Sequence, residues 1–339
     1  MTASHALAEL RSRGLVEIRP GAGAFVRTRA PKSPQKEQLR IGLAYLDAHA
    51  SHPDVADGAH PLFIQWMRGL QDHFGFERAV IKPLCYQRDG LLDSEGPVRK
   101  AIEGRLIDGL LISGATSSSE VEHLQNTSFP CVRVSYDLSE PRIARAEVDY
   151  TVGFRHLMRH LGDLGHRRIL LLAYRAGQEA WNRLRQRYVD VARAAGFGAF
   201  STEEILALRN DRGPIPGADV EALVGRALER RPTALVVQDE VLAVRTMAHC
   251  MKKEIRIPHD LSLAALANAM PGSQVMALTS TNAFEMIREA VRLGAELLER
   301  AMGGEDIRGQ RIVVAPTLVG GDTTASVPVG RTVESPGRS

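Results

Sequence analysis

The side chains able to do chemistry in this 339-residue chain are scattered rather than clustered. His156 and His160 stand four apart, the spacing that puts two imidazoles on one helix face and could serve one metal ion. No third ligand is placed beside them, and two structural histidines are the simpler reading. Ser117, Ser118 and Ser119 form a polar run without the G-x-S-x-G turn that exposes a nucleophile. Gly21-Ala22-Gly23 lacks the strand and helix of a dinucleotide loop, and no phosphate-loop pattern precedes the helix start at Pro61. Cys85, Cys131 and Cys250 are far apart inside apolar runs, fit no zinc spacing and read as reduced thiols. Nothing sets a base beside a nucleophile. The chain reads as a binding protein and not an enzyme, with no metal and no cofactor.

The elements that would position a binding site are clearer. A hydrophobic fraction of 44% suffices for a sizeable core, and the length suggests two or three compact units. The net charge of +3 is too small to argue for nucleic acid, although the first forty residues are basic. There is no signal peptide pattern and no apolar stretch long enough for a bilayer, so a cytoplasmic protein without a membrane partner is expected. From residue 39 onward, short apolar strands alternate with helices. Strands are expected at Arg40–Leu46, Ala79–Tyr86, Asp108–Ser113 and Cys131–Tyr136, with an amphipathic helix at Pro61–Phe74. The alternation restarts with helix Val152–Leu164, strand Arg168–Tyr174, helix Asn182–Ala195 and strand Ala234–Gln238. Such a pattern predicts an α/β fold of two Rossmann-like lobes, each a parallel sheet covered on both faces. Residues 28–38, with two prolines and several charges, form a linker, and residues 326–339 a Pro/Gly/Ser-rich disordered tail.

The first 27 residues form a different unit. Ala6, Leu7 and Leu10 fall at helical spacing from Thr2 to Arg13, and Gly14 ends that helix. Leu15–Ile18 and Ala24–Arg27 are extended runs joined by a turn whose glycines permit positive φ. Ala6-Leu7-Ala8-Glu9-Leu10, Gly14-Leu15, Arg19 and Gly21 through Val26 resemble the end of a GntR-type winged helix-turn-helix. The resemblance implies that Thr2, Ser4 and His5 lie on the recognition helix in the major groove. It also implies that Arg19, Gly21 and Gly23 form a wing over the minor groove. The two helices that come first in that family are not in this sequence. The expectation is therefore a start inside a partial winged helix at 1–27, with coding sequence upstream; a sensor that has lost DNA binding is the alternative.

Residues 39–325 resemble the sensor of LacI-type regulators and the type I periplasmic-binding-protein fold. The motifs run in order: His60-Pro61-Leu62-Phe63, Ile107-Asp108-Gly109-Leu110-Leu111-Ile112, and Val148-Asp149-Tyr150 followed by Gly153. His160-Leu161 through Leu164-Gly165-His166-Arg167-Arg168-Ile169 is the most specific, and Arg256-Ile257-Pro258-His259-Asp260-Leu261-Ser262 and Leu278-Thr279-Ser280 follow. A GntR-type winged helix on a LacI-type sensor is the arrangement of the arabinose repressors. The resemblance implies hinge crossings near Ala146–Tyr150, Thr281–Phe284 and Thr317–Val319, with a ligand cleft at the carboxyl ends of the strands. Candidate ligand residues are then Asp47, Phe63, Ser113, Ser135 and Tyr136 in the first lobe, and Arg185, Gln238, Asp239 and Asn268 in the second. Arg175 and Asn282 stand nearby. Arg185 aligns with an arginine that grips ligand in the family, and its planar fork suits a hydroxyl pair or a carboxylate. Asp239 could instead cap the following helix.

Departures from the family pattern remove acceptors for sugar hydroxyls. Gln238 replaces an asparagine, Ala265-Leu266-Ala267-Asn268 replaces an acidic stretch, and Ser135 replaces an aspartate. A sugar or related metabolite, an anionic ligand and a degenerate cleft all stay open. The implied function is a ligand-responsive transcriptional regulator, commonly a repressor. Its partners would be operator DNA, a small-molecule effector and a second copy in a homodimer.

Overall fold

The computed structural model describes residues 16–19, 23–26, 38–46, 61–86, 90–113, 118–127, 129–135, 144–175, 178–209, 216–267 and 277–327. The chain divides into two compact units, Met1–Leu39 and Arg40–Ser339. In the first, β1 (Val16–Arg19) pairs antiparallel with β2 (Gly23–Val26), with Val16 opposite Val26 and Arg19 opposite Gly23. The hairpin lies within one residue of the expected runs. The expected helix at Thr2–Arg13 lies outside the described residues.

The second unit contains two six-stranded sheets. One has β3 (Leu39–Leu46), β4 (Ala79–Tyr86), β5 (Gly109–Ser113), β6 (Cys131–Ser135), β7 (Arg145–Val148) and β13 (Arg311–Val314), in the order β13-β7-β6-β5-β3-β4. The other has β8 (Ile169–Arg175), β9 (Ile205–Arg209), β10 (Ala234–Val237), β11 (Ser262–Ala265), β12 (Thr279–Thr281) and β14 (Leu318–Val319), in the order β14-β12-β11-β10-β8-β9. Neighbours from β3 through β5, β6 and β7 to β13 pair parallel, as do β9, β8, β10, β11 and β12. Strand β14 adds antiparallel to β12. The helices are α1 (Pro61–Arg78), α2 (Pro97–Glu103), α3 (Ser118–Asn126), α4 (Tyr150–Asp163), α5 (Gln178–Ala194), α6 (Gly217–Glu229), α7 (Glu240–Lys252) and α8 (Ala283–Met302).

The local reasons are ordinary ones. Central strands such as β5 (GLLIS) and β10 (ALVV) are buried along their whole length, as strands covered on both faces must be. In β8, Ile169, Leu171 and Ala173 enter a core with Phe154, Leu157, Trp181 and Tyr188, while Leu170 and Leu172 enter the opposite core with Leu223, Val224 and Leu263. That is the period of two of a strand. Helix α1 contains a break at Gly75, whose φ of 69° lies in the left-handed region. The break follows Phe74, where the sequence predicts the end of that helix.

The segment from Thr323 to Val327 bonds to the second lobe. Thr323 donates to Leu263 O at 2.7 Å and accepts from Thr279 N at 2.9 Å, and Val327 N donates to Leu164 O at 3.0 Å. His166 Nε2 lies 2.9 Å from Ala325 O.

In the first lobe α1 and α8 cross closely at Gly69. A Cβ there would lie 2.6 Å from both Arg288 O and Val291 Cβ, so backbone would have to move. Gly69→Ala should destabilise the protein by about 1–3 kcal/mol through overpacking, outweighing the roughly 1 kcal/mol of helix propensity gained. Urea unfolding checks this, and unchanged or increased stability would show that the two helices are not so tightly apposed.

Candidate functional site

Three chain crossings join the two sheets, and they are tied to one another. The first leaves β7 at Val148 and enters α4, where the Asp149 side chain caps the helix by accepting from Thr151 N at 2.9 Å. The second leaves β12 at Thr281 and enters α8, and the third runs from β13 to β14. Asp149 N donates to Val314 O at 3.0 Å, which joins the first crossing to the third. Asn282 joins the second to the third reciprocally: its N–H donates to Thr317 O at 3.0 Å and its Oδ1 accepts from Thr317 N at 2.7 Å. Gly153 lets α4 approach both; a Cβ there would be 3.1 Å from Pro316 Cγ and 3.2 Å from Thr281 Cγ2.

Because β7, β12 and β13 all end at these crossings, the carboxyl ends of both parallel sheets lie on the hinge side. Ligands of open parallel sheets bind at such ends. On the first-lobe wall, Tyr45 at the end of β3 and Phe63 in the first turn of α1 meet edge to face, with ring centroids 5.3 Å apart. Phe63 is half-buried. Ser113 is at the end of β5 as expected, but it is only 1% exposed, and its carbonyl accepts from the Tyr86 hydroxyl at 3.0 Å. It is therefore enclosed rather than open to a ligand. Ser135 ends β6. Asp47, Tyr136 and Asn268 lie outside the described residues.

On the second-lobe wall, half-buried Gln238 bridges two strands: its N–H donates to Leu172 O at 2.9 Å and its Oε1 accepts from Tyr174 N at 2.7 Å. Asp239 caps α7, accepting from Leu242 N at 2.9 Å. Desolvation pushes its carboxyl up to about 6, against the backbone bond from Leu242 and with the negative charge of Glu240 adding to the rise. Tyr174 is also raised, first by desolvation and then by Asp239. Arg185 sits on α5, half-buried, and its Nε is buried with no hydrogen-bond partner.

A buried ion cluster beside the hinge was not apparent in the sequence. Glu147 is 0% exposed and accepts from Arg145 Nε at 3.0 Å and Arg311 Nε at 2.8 Å. Arg187 of α5 reaches Asp149 at 3.9 Å. The alternation Arg145-x-Glu147 was the available signal, since it puts both side chains on one face of a strand.

Of the candidates set aside, His160 has a structural partner, with Nε2 2.9 Å from Thr324 Oγ1. Burial pushes the Cys131 and Cys250 thiols up to about 12 and about 11, so neither is a ready nucleophile. In the first unit, Arg19 ends β1 and Gly23 opens β2, while Thr2, Ser4, His5 and Gly21 lie outside the described residues.

Two α/β lobes with parallel sheets joined by three crossings form a periplasmic-binding-protein-like fold, and residues 158–324 match the periplasmic binding protein-like domain. The chain is 23% identical to the arabinose metabolism transcriptional repressor of Halalkalibacterium halodurans over 340 residues, covering 96% of this chain and 86% of the repressor. It is 22% identical over 220 residues to the HTH-type transcriptional repressor PurR of Aliivibrio fischeri, covering 63% of each. Among solved structures, the transcription regulator CcpA of Lactococcus lactis superposes with a TM-score of 0.65 at 20% identity, covering 85% of this chain and 99% of that one. The transcriptional regulator CelR–cellobiose complex gives 0.64 at 18% identity, covering 85% and 86%. Residues 158–324 thus match a periplasmic binding protein-like domain, on a fold that the chain shares with these regulators.

The raised Asp239 carboxyl has a consequence for stability. Between about 3.8, its ordinary value, and about 6, the folded state holds a proton that the unfolded chain has released. Stability from this group is therefore lost as pH rises through that window. Asp239→Asn keeps a capping side chain and should gain melting temperature relative to the parent as pH rises from about 4 to about 7. A difference that does not vary with pH would contradict the assignment.

Proposed function

We propose that the chain is a ligand-responsive transcriptional regulator, most simply a repressor, that binds DNA through a winged helix and a small molecule between its two lobes. The carrying observation is the pairing of a basic-tipped hairpin at Val16–Val26 with a hinged two-lobed unit, in the order also matched over 96% of the chain by an arabinose metabolism repressor. In this reading residues 1–27 belong to the DNA-binding domain, 28–38 are a linker, 39–325 bind ligand and 326–339 are a tail. Thr2, Ser4 and His5 would face bases or phosphates, and Arg19, Gly21 and Gly23 would form the wing. A homodimer would present two such heads to a two-fold operator. Among the described residues no helix is long and apolar enough to cross a membrane.

The effector in this reading is a sugar or related metabolite held among Asp47, Phe63, Ser135, Tyr136, Arg185, Gln238, Asp239 and Asn268. Its engagement of both walls would favour one lobe arrangement over the other, and that difference in affinity is what can alter DNA binding. The relatives are transcriptional regulators rather than enzymes, in line with a binding role.

The test is salt-titrated binding of the chain, alone and extended to an upstream in-frame start, to DNA from its own upstream region and to scrambled DNA. The reading expects log affinity to fall linearly with log salt. It also expects a preference of about 10³-fold or more for the genuine site in at least one form of the protein. Equal affinity for both DNAs in both forms would overturn the DNA-binding part.

A further inference from the structure

We propose that His166 is a proton-sensitive latch: residues 324–327 stay closed on the second lobe while its imidazole is neutral, and acidification releases them. The inference stands apart from the ligand-sensing reading and adds a regulatory device to the same lobe.

The first argument is what holds the segment. Thr323 is its anchor: fully buried, it bonds through Oγ1 to Leu263 O and Thr279 N, and its carbonyl accepts from Leu263 N at 2.8 Å. Beyond it, the Thr324 hydroxyl lies 2.9 Å from His160 Nε2 and 3.0 Å from Thr279 Oγ1. Ala325 exchanges bonds with Ser262, its N–H donating to Oγ at 3.0 Å and its carbonyl accepting from the same hydroxyl at 3.3 Å. That carbonyl also lies 2.9 Å from His166 Nε2. Residues 324–327 are half-buried or exposed, so these polar bonds rather than a core hold them.

The second argument is the protonation state that this geometry requires. A carbonyl only accepts, so His166 Nε2 carries the hydrogen and, in the neutral ring, Nδ1 is bare. His166 is 3% exposed, and its Nδ1 is buried with no hydrogen-bond partner. A bare ring nitrogen tolerates that place. A protonated ring puts an N–H there, and a buried charge without an acceptor is costly. The gap beside the ring, bounded by Thr233, Pro258, Asp260 and Ala325 among others, is about 10 Å³, at the lower limit for one water. Hydrating the imidazolium therefore requires the segment to move. His160 differs, because a threonine oxygen can accept from its charged ring.

The third argument is the surrounding charge. Desolvation lowers the His166 pKa most; the Ala325 carbonyl raises it, and His160 and Arg167 lower it again, leaving it below the ordinary 6.5. His160 is itself lowered by desolvation, against the pull of Asp163. From the loop before β11, His259 supplies no negative charge, and Asp260 is taken by Arg256 through two bonds at 2.7 and 2.8 Å. Residues 323–327 contribute no titratable side chain. The closed segment thus binds a proton more weakly than the open one, and closure weakens as pH falls below 6.5. The latch also touches the hinge: Thr324 supports Thr279, the first residue of β12, and the second crossing leaves at the end of that strand.

The test is amide hydrogen exchange of the full chain from about pH 7.5 to about pH 5, corrected for intrinsic rates and read over residues 323–327. Below 6.5 the opening constant of this segment should rise by up to about tenfold per pH unit, as one linked proton requires, while β8 and β10 stay protected. His166→Gln keeps an amide N–H for the Ala325 carbonyl and does not titrate, so it should lose that pH dependence. Opening that is independent of pH, or equally dependent in His166→Gln, overturns the proposal. Should His166→Gln fail to fold, NMR titration of the parent decides: the Val327 amide should follow the His166 ring, with a midpoint below 6.5. A His166 midpoint at or above that value, or a segment that follows His160 or His259 instead, overturns the proposal.

Discussion

The structure depends on one tether, the point where three strands of chain pass between the lobes and are bonded to one another. Asn282 and Thr317 exchange two hydrogen bonds, Asp149 reaches Val314, and the missing side chain at Gly153 allows α4 to sit against Pro316 and Thr281. Three short crossings, rather than continuous strands, join the two sheets. The lobes themselves are densely buried, with Leu111, Ile112, Leu235 and Val236 at 0% exposure. Densely packed cores of this kind resist internal deformation, so a turn of one lobe against the other would fall on the crossings.

Electrostatics concentrate at the same place. Glu147 is fully buried between two arginines, and breaking one partner of such an arrangement leaves an uncompensated charge. Arg187 comes from the second lobe and meets Asp149 on the first crossing; desolvation lowers its pKa, and the nearby charge of Arg311 in the first lobe adds to that. A rotation about the crossings would change the Arg187–Arg311 separation while leaving the Glu147 pairs intact. Such a rotation would change the electrostatic energy at the crossings.

Much of this was legible in the sequence. Helix α4, expected at Val152–Leu164, forms at Tyr150–Asp163, and β5 and β10 form from the unbroken apolar runs that predict strands. The elements that escaped have physical reasons. β7 (Arg145–Val148) is half charged, yet it is buried because Arg145 and Glu147 satisfy each other and Arg311. β14 is two residues long and gains its place only by pairing with β12. The site was readable as a set of strand ends, but not in its particulars. Nothing in the local sequence says that Ser113 is sealed by Tyr86, that Gln238 spends its carbonyl on Tyr174, or that Arg185 keeps an unpartnered Nε. Those facts depend on which distant strands become neighbours.

The most direct measurement of the proposed ligand response is the distance between the two lobes. Spin labels at Glu103→Cys on α2 and Glu229→Cys on α6, both exposed positions, would report it in a Cys85→Ser background by pulsed dipolar spectroscopy. A small molecule that raises the melting temperature should move and narrow the distance distribution, as selection of one lobe arrangement requires. A distribution that stays the same with that molecule demonstrably bound would contradict the account.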